Sequence, residues 1–197
     1  GLITVLHQSI SHMTGNASLL AQAIIHHQFD TVIYLTLILL SYVLGSSYSG
    51  FILGNSHFQL GRSYGIPLSL VGIFIFLCWL FLPIYPEYAL LWASAAMGIQ
   101  NAMVSHYKGT IIRTTHLSGV LTDLGLAVGY AFRGLNVEKR RVTLHLLILF
   151  GFILGGVIAS LVHPYLQLNA FLVPVGLSLI LSMLYWCIYF RYRSIHN

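Results

Sequence analysis

Five unbroken apolar runs constrain this chain more than any other feature. Residues 31–54, 66–82, 88–107, 143–163 and 168–190 are each near spanning length and almost free of charge, since roughly 20 apolar residues let an α-helix cross a bilayer. Hydrocarbon offers the backbone no hydrogen-bond partners, so only helices and closed barrels span it. The runs are continuous where a barrel strand would alternate, which selects helices. With 57% hydrophobic and 7% charged residues in 197, the chain reads as an all-α integral membrane protein whose first partner is the lipid bilayer.

Charge then sets orientation. Nine Lys and Arg against four acids give a formal net charge of +5, which here marks cytoplasmic loops and not nucleic-acid binding. Placing Arg62, Lys108 to Arg113, Arg133 to Arg141, Arg191 and Arg193 on one side gathers every basic residue in the cytoplasm with the C-terminus and leaves Asp30 and Glu87 outside. That arrangement requires residues 109–132 to enter and leave on the cytoplasmic side as a re-entrant segment. Cys78 and Cys187 each stand alone in an apolar run, without the spacing of a zinc or redox site. Residues 1–10 do not have the form of a cleavable signal.

The polar residues are concentrated in one stretch, Arg113-Thr-Thr-His-Leu-Ser-Gly-Val-Leu-Thr-Asp-Leu-Gly125, and it has an echo. His12-Met-Thr-Gly15 matches His116-Leu-Ser-Gly119 at an offset of 104, and 37–45 matches 147–155 at an offset of 110. In each copy the motif precedes two spans, yet the loop after the first motif faces outside and the loop after the second faces inside. The expected architecture is therefore two inverted repeats, residues 1–87 and 88–197, each of about three transmembrane helices plus a re-entrant or broken segment. The second copy has a whole span before its motif and the first has only about ten residues there, so a first helix is expected to be missing from this sequence.

The candidate site follows from the repeat. Thr14-Gly15 and Ser118-Gly119 are suited to start short helices whose free N–H groups hold an anion or polar solute, with His12, Asn16, His116 and Thr122 beside them. Two such ends meeting near the midplane would form a binding site or pore constriction; the competing reading is close helix packing by small residues. Asp123 is a carboxylate in an apolar setting, where an acid marks an ion path, a proton relay or a cation's partner. Arg113, His116 and Lys108 are its nearest candidate partners in sequence; a shallow loop would instead pair it with the basic loop. Gln100 and Asn101 put two amides in an apolar run, either to face the motif or to tie helices together.

Ten histidines are many for this length, but no spacing brings two together for a metal or haem. His116, Ser118 and Asp123 lie too close on one segment to converge as a hydrolytic triad, so no catalytic role and no cofactor is expected. The rows Ser41-x3-Gly45-x3-Ser49 and Gly151-x3-Gly155-x3-Ala159 read as close helix packing.

The segment Ser11-His-Met-Thr-Gly-Asn16, with Met97-Gly-Ile-Gln-Asn-Ala102, Arg113-Thr-Thr-His-Leu-Ser-Gly119 and Leu121-Thr-Asp-Leu-Gly125 midway, resembles the YoaK-like family of bacterial inner-membrane proteins over nearly the whole chain. The resemblance implies a multi-span inner-membrane protein and no particular activity. From the repeat and the polar motifs, the expected function is a small-solute or ion transporter or channel with both motifs at a central site. The alternatives are a non-transporting accessory or assembly subunit, as a homo-oligomer or beside a membrane partner, and a haem- or metal-binding membrane protein.

Overall fold

The computed structural model describes residues 12–54, 62–104 and 115–196. Among these residues seven α-helices follow one another: α1 Met13–Ile25, α2 Phe29–Leu53, α3 Arg62–Phe81, α4 Pro86–Val104, α5 Leu117–Phe132, α6 Lys139–Leu166 and α7 Leu172–His196, with a 3-10 turn at Gln167–Phe171 between the last two. Among the described residues three stretches are long and apolar enough to cross a bilayer: Phe29–Leu53, Tyr64–Phe81 and Lys139–Ser194. The last bends at the 3-10 turn, where Gln167 takes φ 47° after Pro164 has weakened the end of α6.

Sequence reading counted 88–107 as a further span. Residues 86–104 do form a helix, α4, but not one of the apolar crossing stretches. Packing gives the reason. Ala89, Leu90, Ala93, Ser94, Ala96, Gly98, Ile99 and Asn101 of α4 are all buried, because α2 packs on one side of it and α3 on the other. A helix wrapped by protein needs small and polar residues for close contact more than lipid-facing bulk.

The α2–α4 crossing is the tightest in the chain. A Cβ on Gly98 would lie 2.2 Å from the Tyr42 carbonyl oxygen, and one on Gly45 would lie 2.2 Å from that of Ala95. Hydroxyls fasten the same seam: Ser94 Oγ donates to the Ile38 carbonyl at 2.9 Å, and Ser46 Oγ to the Gly98 carbonyl at 3.2 Å. On the other side, Trp186 Nε1 donates to Ser69 Oγ at 3.0 Å and Ser69 shares a 2.7 Å hydrogen bond with Ser182, joining α3 to α7. The core lies between these helices, with Cys78, Leu82, Leu90 and Phe171 in one cluster and Val71, Ile75, Ile99 and Val175 in the next.

The α5–α6 pair stands apart from this core. Among the described residues helix α6 touches α5 and the 3-10 turn and no other element, and His145 is its one buried residue. Its row Gly151, Gly155 and Ala159 therefore does not pack on its α2 counterpart: Gly45 is buried against α4, and nothing lies within 4 Å of a Cβ built on Gly151 or Gly155.

Candidate functional site

Both repeated motifs fold the same way. His12 and His116 occupy the residue before helices α1 and α5, with φ,ψ of −94°, 71° and −95°, 69°. The His12 carbonyl accepts from the Asn16 amide at 3.1 Å, and the His116 carbonyl from the Val120 amide at 3.3 Å. Ser18 and Thr122, also 104 apart, each send a hydroxyl back four residues, to Thr14 and Ser118 at 3.1 and 2.9 Å. Exposure alternates identically from 12 to 16 and from 116 to 120, ending on the buried Asn16 and Val120.

This geometry revises the expected role of the motif residues. The capping position belongs to the histidines, and neither side chain bonds the helix end. Thr14 and Ser118 sit two residues further in with exposed side chains. The glycines make room for the imidazoles, since a Cβ on Gly15 would meet His12 Cδ2 at 2.5 Å and one on Gly119 would meet His116 Nδ1 at 3.3 Å. Helix α1 packs on α2 and α5 on α6, and among the described residues the two short helices make no contact with each other.

The amides divide. Asn101 is buried and donates to the Met97 carbonyl at 3.0 Å and to Thr115 Oγ1 at 2.7 Å, which ties α4 to the entry of the second motif. Gln100 is half-buried beside it.

Asp123 gathers the densest polar cluster. Arg141 Nη2 lies 3.1 Å and His145 Nε2 3.3 Å from the same oxygen, Oδ2. The carboxylate stands nine residues from the end of α5 at Phe132, about 14 Å along the axis at 1.5 Å per residue. Only 4% of the His145 side chain is exposed, against 48% for Arg141. A cavity of about 230 Å³ opens on the group, walled by Leu126, Ala127, Val137 and Val142 and edged by Tyr130 and Glu138.

Of the partners expected for Asp123, Lys108 and Arg113 lie outside the described residues, and the contacts found are to Arg141 of the basic loop and to His145. His145 is one of the ten histidines that no spacing in the sequence pairs with a partner. A signal was present: the 110-residue offset aligns it with Leu35, which is fully buried, so an imidazole occupies a position its repeat fills with leucine. Among the described residues no three His, Cys, Asp or Glu side chains come together to hold a metal ion.

Residues 1–184 match the family described as protein of unknown function, DUF1275. The chain belongs to the DUF1275 family. No curated protein and no solved structure matches it. Membership in this DUF1275 group covers both motifs and the Asp123 cluster, and brings no activity with it.

Proposed function

We propose that this DUF1275 chain moves a small solute or ion across a membrane, with the Asp123–Arg141–His145 cavity as its binding site. One observation carries the reading: a carboxylate and an almost fully buried imidazole face a cavity between α5, the connecting loop and the start of α6. Ionisable groups in such surroundings cost stability, and they persist where an ion or solute uses them. In this reading the matched short helices belong to two halves of opposite orientation, and residues 109–132 enter and leave on the cytoplasmic side. The C-terminus and the basic loop lie in the cytoplasm of a bacterial inner membrane, and no covalent chemistry is done on the solute.

The test is flux in liposomes with a panel of small anions, cations and neutral solutes, wild type beside Asp123→Asn at equal protein loading. Flux that collapses in the variant while its melting temperature holds supports the site. Absence of flux for every solute would remove the reading. A second reading, a non-transporting accessory subunit, is favoured by the uncovered face of α6 and by the serine hydroxyls used as helix ties. It calls for a partner helix, or a second copy, over Gly151 and Gly155.

A further inference from the structure

We infer that the cavity beside Asp123 takes a short-chain monocarboxylate together with a proton, the anion replacing Asp123 as the partner of Arg141. The inference rests on the transport reading for the use of the site but not for the binding itself. Three features carry it. Both cation-capable side chains converge on a single oxygen, Oδ2, so one protonation of this carboxyl weakens both contacts together. The two differ in freedom: His145 is held inside, while Arg141 is half exposed on a flexible stem at the start of α6. Leu126, Ala127, Val137 and Val142 give the cavity an apolar wall, and Tyr130 and Asn136 add uncharged polar groups beside the charged edge.

The charged and titratable groups facing the cavity are Asp123 and Tyr130 from α5, Glu138 from the connecting loop, and Arg141 and His145 from α6. With the imidazole neutral, two carboxylates oppose one guanidinium, and the excess negative charge repels an anion. A proton taken from water by the Asp123–His145 pair cancels that excess. Arginine stays charged at every accessible pH, so a guanidinium released from its carboxylate partner can take another anion. Its planar fork matches a second carboxylate. The walls formed by Leu126, Ala127, Val137 and Val142 suit a short alkyl tail, and the cavity of about 230 Å³ accommodates a few carbon atoms. Linkage to one proton then makes anion affinity rise as pH falls, by at most about 100-fold over two pH units.

The test is calorimetric titration of the purified full chain in detergent with propionate, at about pH 5.5 and about pH 7.5. Wild type should bind at least about tenfold more tightly at the lower pH. Asp123→Asn, which removes the carboxylate charge at every pH, should bind at the higher pH at least as tightly as wild type does at the lower. Arg141→Gln should bind at neither, and Arg141→Lys, which keeps the charge and loses the fork, should lose about tenfold. Melting temperatures confirm that each variant is folded; if Asp123→Asn is not, the two Arg141 variants decide. Wild-type affinity indifferent to pH, or Arg141→Gln binding like wild type, overturns the inference. A long-chain fatty acid carries the same headgroup, so dodecanoate is titrated in parallel, and preference for it over propionate overturns the short-chain assignment. Propionate bound as described without any flux removes the transport reading alone, and flux without propionate binding removes only this inference.

Discussion

Gly98→Ala tests the α2–α4 crossing on which the bundle depends. The added Cβ would lie 2.2 Å from the Tyr42 carbonyl oxygen and 3.0 Å from the Ser46 nitrogen. Both neighbours are helix backbone, so no side chain can swing aside and the helices must part by about 1 Å. Separation on that scale forfeits a quarter to a half of the dispersion energy of each opposed atom pair. It also stretches the 3.2 Å bond from Ser46 Oγ to the Gly98 carbonyl beyond hydrogen-bonding length. Overpacking costs about 1–3 kcal/mol and an interhelical hydrogen bond in a membrane protein averages about 0.6 kcal/mol, so the expected loss is about 2–4 kcal/mol. Reversible unfolding in mixed micelles measures it, with Gly155→Ala as the control, because nothing lies within 4 Å of a Cβ there. The control should be neutral or stabilising by about 0.5–1 kcal/mol, the ordinary helix gain from glycine to alanine. Gly98→Ala as stable as wild type, or Gly155→Ala equally damaged, would refute the packing argument.

Three further outcomes are expected. Gln167→Gly should raise stability by about 1 kcal/mol, because Gln167 holds φ 47° where glycine is unstrained; a melting curve reads it. Asn101→Ala should cost about 1–2 kcal/mol by removing the bond to Thr115 Oγ1, and amide exchange should show loosening first at the start of α5. Ser69→Ala should cost about 1–2 kcal/mol in the same unfolding assay, since Ser182 and the Trp186 indole lose a shared partner.

Much of the helix plan was legible because apolar length is a local property. Residues 31–54 became Phe29–Leu53 and 143–163 became Lys139–Leu166 with ends shifted by a few residues. Pro83 and Pro86 marked the break after Phe81, and Pro86 opens α4. The likeness of the two short motifs was legible as spacing, and the paired caps at His12 and His116 have matching local geometry. What spacing could not convey was contact. Whether α1 and α5 meet depends on how α2 and α6 are packed, and α6 lies away from the bundle. For the same reason Asp123 was visible as an isolated acid while His145 was not visible as its partner: they are 22 residues apart across a loop, and no periodicity within one helix links them. The glycines of the two motifs were read as helix starts, whereas their role is to seat an imidazole three residues earlier, a matter of ring placement that sequence alone does not express.

The measurement that bears most directly on Asp123, Arg141 and His145 replaces all three by leucine and reads stability and flux on the same liposomes. Exchanging a polar cluster for apolar side chains in low-dielectric surroundings is often neutral or stabilising by about 1–4 kcal/mol. If the cluster is kept for solute movement, the triple variant should be at least as stable as wild type and carry no flux. A variant that unfolds readily, while its folded fraction carries wild-type flux, would show the three residues to be a helix tie and contradict the account.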